Sequence, residues 1–213
     1  MQSVYSLCPL LGLVILLSLV YRCTGMEVFF YFAYGSNLLS NRVHIKNPSA
    51  VYYSPARLSD FRLDFNMQME SWGGAVATIV PDANKTVWGT LWLIDKDKMK
   101  YLDMQEGVDH RSYYATNVTV ARSDGYEIQA RTYIQTRNPA KIQIRPGEYL
   151  PYERLPSSTY MKVIILGAME SGLPSAYVNY LKTFPTNNKK APFDILRSLG
   201  TVTLVNKKIY KFE

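Results

Sequence analysis

The chain has 213 residues, 47% of them hydrophobic and 19% charged, with a formal net charge of +7. That is enough for one domain with a sizeable apolar core, and the composition is too aromatic for a disordered chain. Two histidines (His44, His110) and two cysteines (Cys8, Cys23) are too few for a Cys/His zinc site, and no Walker A loop, GxSxG or GxGxxG motif is present.

Residues 7–21, LCPLLGLVILLSLVY, carry no charge. The run suits the apolar part of a signal peptide and is short for a membrane span of roughly 20 residues. Cys23-Thr24-Gly25 puts small residues at a cleavage position, so residues 1–25 read as a cleaved signal peptide. Secretion is then expected, with no cysteine in the mature chain and no stable membrane association. Two other readings stand beside it. One is an uncleaved anchor; the other is a true start at Met26, which leaves the protein cytoplasmic. The preceding MQSVYS lacks the usual Lys or Arg.

Val28–Tyr34 (VFFYFAY) reads as a buried strand ending at Gly35. Ser36 or Asn37 is suited to N-cap a helix over LLSNRVHI, which Pro48 stops. Ala56–Phe65 alternates like a half-buried strand. Trp72–Val80 and Val87–Ile94 read as two more strands, joined by the turn PDANKT. A short helix is expected over Asp95–Gln105, capped by Asp95 and stopped at Gly107. Tyr113–Ala121 and Tyr126–Thr136 form a hairpin around Ser123-Asp124-Gly125. Residues 137–157 are expected to be a long loop. Helices follow over Tyr160–Glu170 and from Leu173-Pro174 through Leu181, and the tail TVTLVNKKIYKF has strand character. The whole reads as an α+β domain on an antiparallel or barrel-like mixed sheet with flanking helices.

Asn84 and Asn117 head the sequons Asn84-Lys85-Thr86 and Asn117-Val118-Thr119 and are candidate glycosylation sites on an exported chain; Asn47-Pro48-Ser49 is blocked by its proline. Lys189-Lys190, Lys207, Lys208 and Lys211 form basic clusters. No RNP, helix-turn-helix or finger pattern accompanies them, so they read as solvated surface and not as a nucleic-acid site.

Three features are suited to chemistry. The strand-to-helix turn at Tyr34–Asn37 offers backbone N–H groups to a carboxylate, and Gly35 lets a ligand approach the chain. Met99, Leu102 and Glu106 follow i, i+3, i+7 spacing, which puts the Glu106 carboxylate on the apolar face of its helix. Burial and the helix C-terminus both raise a carboxyl pKa, as a general base working near neutral pH requires. Tyr160, at the start of an apolar helix, can place its hydroxyl in a pocket, although a chain with 17 tyrosines offers many others.

Together these residues resemble the γ-glutamylcyclotransferase family. The resemblance begins at YFAYGSNLL (residues 31–39) and passes through Arg42, His44, residues 47–50, Ala56-Arg57-Leu58 and Leu63-Asp64-Phe65. It continues over Trp88-Gly89 and the LDxQEGV motif, Leu102–Val108, and closes with GAxExGLP over Gly167–Pro174. It covers roughly residues 28–185. Residues 26–185 are therefore taken as the domain and 186–213 as a basic extension packing on it or trailing it. The resemblance implies cyclisation of γ-glutamyl-amino acids to 5-oxoproline, with C–N cleavage releasing a free amino acid. It implies Glu106 as the group that takes and returns the proton. Substrate contacts are implied at Tyr31, Phe32, Ala33, Tyr34, Gly35, Ser36 and Tyr160. No metal or cofactor is implied, and a homodimer is.

The sequence departs from the family pattern in its apolar leader, in the long 137–157 loop, and at Met104, where the family often carries an acid. If Met104 faces the pocket, selectivity or the ionisation of Glu106 would change. The residues after YGS favour γ-glutamyl dipeptides over intact glutathione. Two competing readings are a secreted non-catalytic binding protein that keeps the fold, and a γ-glutamylamine or AIG2-type activity. Glu106 weighs against the first; YGSN and GAxExGLP weigh against the second.

Overall fold

The computed structural model describes residues 27–142 and 150–192, with Ile195, Arg197 and Leu199. The leader and the strand expected in the tail lie outside the described residues. Five strands close into a barrel in the order β1-β3-β2-β4-β5. They are β1 (Val28–Ala33), β2 (Val51–Met69), β3 (Gly74–Asp95), β4 (Tyr113–Ala121) and β5 (Glu127–Gln135). All pairings are antiparallel except β1 with β5, which meet in parallel at Tyr31 and Arg131. Thr132 Oγ1 reinforces that closure by donating to the Phe32 carbonyl at 2.9 Å.

The barrel forms because β1 is apolar along its whole length and buries both faces, with Phe32 and Ala33 almost inaccessible. Leu63, Phe65, Ile79, Leu91 and Ile94 of β2 and β3 fill the same core. PDANKT does not end a strand, as the sequence suggests. It is a bulge within β3, both halves of which pair with β2. Phe61 faces Pro81 and Ser59 faces Thr86, so the extra residues of β3 oppose only Asp60. Asp60 and Asn84 take positive φ there, and the Asp60 carboxylate accepts from the Asn84 N–H at 2.9 Å. The β4–β5 hairpin turns at residues 122–126, as expected, and Arg122 and Tyr126 close it.

The helix expected over 38–45 is broken in two. A 3-10 turn at Ser36–Leu38 precedes the short α1 (Ser40–His44), and neither Ser36 nor Asn37 caps a helix with its side chain. The free N–H of Ser40 is instead satisfied by Glu170, whose Oε2 lies 3.1 Å away. The Ser40 hydroxyl bonds the other oxygen of the same carboxylate. Glu170 comes from α3 (Ser158–Glu170), which starts two residues earlier than expected. Its N-cap is Ser157, whose Oγ accepts from the Tyr160 N–H at 3.1 Å. α2 (Met99–Gln105) follows a 3-10 turn at Lys96–Lys98 and ends at Glu106, with Gly107 at φ 63°. α4 (Ser175–Leu181) begins after Pro174.

Among the described residues, the loop after β5 holds a 3-10 turn at Tyr152–Arg154. The buried Arg154 guanidinium anchors it, donating to the Phe65 carbonyl at 2.6 Å and to the Asp64 carboxylate. Beyond α4, Asn187 donates to Gly73 O at 2.8 Å and Lys189 O accepts from Ser158 N–H at 3.0 Å, so the start of the basic extension packs on the domain.

One close approach ties α3 to the turn after β1. A Cβ on Gly167 would stand 2.4 Å from the Leu39 nitrogen and 2.5 Å from the Leu38 carbonyl carbon, both backbone atoms. Only a residue without a side chain fits there. Gly167→Ala is expected to lower stability by about 1–3 kcal/mol through overpacking, as urea unfolding would measure.

Candidate active site

One pocket opens where β1 ends. Its walls are Tyr31, Tyr34, Gly35, Ser36 and Asn37 from β1 and the following turn, Ala77 from β3, and Glu106 at the end of α2. Tyr113, Tyr133 and Tyr160 complete it from β4, β5 and α3. The structure thus brings together Tyr31, Tyr34, Gly35, Ser36, Tyr160 and Glu106. Phe32 and Ala33 do not line it: their side chains are sealed in the core, and Phe32 lies beneath Gly89. Met104 points into solvent at 65% exposure, so it does not face the pocket. His44 holds the Ala50 carbonyl at 2.7 Å, and His110 is exposed. Among the described residues no three His, Cys, Asp or Glu side chains gather to hold a metal ion.

Asn37 has a role that the sequence does not reveal. Since Glu170 caps α1, the Asn37 amide is free to turn inward. Its Nδ2 donates to Glu106 Oε1 at 3.0 Å and to the Tyr31 hydroxyl at 3.0 Å. The turn that carries it is pinned by Trp92, whose Nε1 donates to the Asn37 carbonyl at 3.0 Å. Tyr113 and Tyr133 line the pocket as well. Strand alternation places them on the inner face of the β4–β5 hairpin, but nothing in the sequence marks that face as a site.

The tyrosines satisfy one another and the backbone around Ala77. Tyr113 donates to the Ala77 carbonyl at 2.8 Å, and Tyr160 Oη accepts from the Ala77 N–H at 3.1 Å. Tyr34 donates to the Tyr133 carbonyl, and Tyr133 donates to Asp103, which also pairs with Arg131 at 2.7 Å. Tyr160 also shares a hydrogen bond with the Ser36 side chain, and burial lifts its pKa to about 12. Burial, with the nearby Glu106 charge, holds Tyr31 and Tyr34 well above the usual tyrosine range. Around neutral pH the lining tyrosines are therefore neutral donors, and Glu106 is the group that titrates.

Burial raises the Glu106 pKa to about 7. The positive charge of Arg42 and the hydrogen bonds from Gln105 and Asn37 pull the other way but do not cancel it. A carboxylate poised at that value takes a proton and gives it back with little penalty in either direction. A larger cleft of about 600 Å³ lies elsewhere, lined in part by Arg62, Trp88 and Tyr180. Its carboxylates are already paired: Asp64 with Arg62 at 3.0 Å and with Arg154, and Asp82 with Lys141 at 2.8 Å. It offers no free carboxylate among the described residues.

Fold and site together define a small closed-barrel protein built around a single acid–base carboxylate. Residues 86–181 match the model of the AIG2-like family, a span that contains Glu106 and Tyr160. The chain is 43% identical over 174 residues to γ-glutamylcyclotransferase of Bos taurus, covering 79% of this chain and 85% of that one. It is 41% identical over 167 residues to the Homo sapiens γ-glutamylcyclotransferase, covering 76% of this chain and 81% of that one. A solved structure of a γ-glutamyl cyclotransferase superposes with a TM-score of 0.71 at 38% identity, covering 82% of this chain and 99% of that one. The chain belongs to the γ-glutamylcyclotransferase family.

The ionisation of Glu106 also bears on stability. Its pKa is raised in the folded state, so the folded chain keeps a proton that the unfolded chain releases above the ordinary carboxylate range. Stability is therefore full below that range, declines as pH rises through about 7, and stays lower above it. Glu106→Gln is expected to match the wild type near pH 4 and to exceed it at pH 8 by up to about 3 kcal/mol, measured by urea unfolding at both values.

Proposed function

We propose that this protein is a γ-glutamylcyclotransferase that converts γ-glutamyl-amino acids to 5-oxoproline and a free amino acid. The observation that carries the reading is the Glu106 carboxylate, with a pKa of about 7, facing a tyrosine-lined pocket at the Gly35–Ser36 turn. Identity above 40% to relatives named for this activity supports it.

The α-amine of the γ-glutamyl group attacks its own γ-carbonyl carbon. Glu106 takes the amine proton as the new C–N bond forms. The oxygen that becomes negative is met by donors at the strand-to-helix turn, whose first N–H groups have no partner within the three-residue 3-10 turn. Tyr160 offers its hydroxyl hydrogen to the same substrate. When the tetrahedral carbon collapses, the original amide C–N bond breaks and Glu106 returns the proton to the departing nitrogen. No water is consumed. The attacking and attacked groups share one molecule, so the pocket contributes mainly by holding it bent for ring closure.

We propose further that the chain is exported and glycosylated. The leader supports export, and Asn84 and Asn117 are both exposed. Expression in a secretory cell line is expected to release protein whose mass falls on treatment with an N-glycosidase.

Wild-type protein is expected to release 5-oxoproline from γ-glutamyl-alanine, with kcat/KM rising with pH to a plateau about a midpoint near 7, where Glu106 ionises. Glu106→Gln should fold and lose roughly 10²–10⁴-fold in kcat/KM. Full activity in that variant would remove Glu106 as the base. Binding without turnover in the wild type would replace the enzyme with a binding protein.

A further inference from the structure

Among the described residues, the hydrogen bonds to the Glu106 carboxylate fall on one oxygen. Asn37 Nδ2 reaches Oε1 at 3.0 Å, and Gln105 Nε2 reaches the same Oε1 at 3.4 Å. Each donor belongs to a chain of side-chain amides. Asn47 Nδ2 donates to Gln105 Oε1 at 3.2 Å, and Gln105 Nε2 donates to Asn37 Oδ1 at 3.3 Å as well as to Glu106. Asn47 is almost fully buried at the C-terminal end of α1, where its N–H bonds the Val43 carbonyl.

The direction of this chain is fixed by chemistry. An amide carries two N–H donors on one side and an acceptor oxygen on the other. Turning Gln105 over would set its oxygen against both Asn37 Oδ1 and Glu106 Oε1, and its NH2 against that of Asn47. The order Asn47, Gln105, Asn37 therefore points its donors one way, toward Glu106. Burial strengthens each of these bonds; of the three amide oxygens, Asn47 Oδ1 is the one without a partner among the described residues.

We propose that Gln105 and Asn47 are positioning residues that bind Glu106 through Oε1 and leave Oε2 as the oxygen that takes and returns the substrate proton. The inference rests on Glu106 being the base. An oxygen already accepting two N–H bonds is the poorer proton acceptor, so the proton goes to its free neighbour. The carboxyl plane is held as well, since two donors from different elements, the turn after β1 and the end of α2, meet on one atom. Loss of the Gln105 donor leaves the charged form less favoured and the carboxylate free to rotate.

The test is the pH profile of full-length protein with γ-glutamyl-alanine, for the wild type, Gln105→Met and Asn47→Ala, with Glu106→Gln in parallel. Gln105→Met keeps length and helix preference and removes both donors. Its kcat is expected to fall roughly tenfold while KM stays within about twofold, because an oriented base matters in the transition state and not in binding. The rising limb of kcat/KM should move up by about half to one pH unit. Asn47→Ala leaves Glu106 itself untouched and removes only the bond to Gln105, so it should shift both readings in the same direction by less. If Gln105→Met fails to fold, Asn47→Ala alone decides. Wild-type kcat and an unmoved midpoint in the folded variants, with Glu106→Gln inactive, would overturn this inference and leave the base in place. Activity in Glu106→Gln would instead overturn the base itself.

Discussion

The structure depends on holding an ionisable carboxyl group in a buried site without a direct ion pair. Left alone, such a group stays neutral and chemically idle; paired with a cation, it stays charged and is a weak base. Glu106 lies between these limits because the Arg42 charge acts on it without a direct ion pair and uncharged amide donors meet one of its oxygens. Much of the surrounding architecture serves to make Asn37 available for that contact. Asn37 must not cap α1, so Glu170 caps it from another helix. Glu170 reaches Ser40 only if α3 lies against the turn, and Gly167 permits that approach. The GAxExGLP motif is thus a device for freeing one asparagine.

The tyrosines complete the environment. Their rings exclude water, which raises the carboxyl pKa, and their hydroxyls occupy the backbone groups of Ala77 that would otherwise be orphaned in a dry pocket. They also remain neutral where Glu106 titrates. Alternative polar residues serve less well. A lysine or arginine in direct contact would hold Glu106 ionised, and a second acid there would hold it protonated.

Much of this was legible from local rules. The apolar run of β1, the β4–β5 hairpin and the helical spacing that turns Glu106 inward each follow from residues close in sequence. What was not legible depends on distant partners. PDANKT has turn composition, yet it is a bulge because β2 continues past it and pairs on both sides. Asn37 has cap chemistry, yet it serves the site because a residue 130 positions from Ser40 supplies the cap. Tyr113 and Tyr133 read as two among 17 tyrosines until the barrel closes and gives their face an interior. Phe32 and Ala33 sit inside the motif that resembles a substrate-binding segment, but there the strand turns them into the core.

The parallel contact between β1 and β5 has a consequence for how the protein comes into being. It joins residues 100 positions apart, so the barrel closes by a long-range step of the kind that slows folding. The pocket draws on the chain from Tyr31 to Tyr160. A chain still emerging from the ribosome therefore carries Glu106 before it carries Tyr113, Tyr133 and Tyr160, and until they close the pocket its carboxyl group is more open to water. The burial that tunes its basicity comes with the closed barrel, so the reactive carboxylate is a property of the finished fold and not of the segment that carries it.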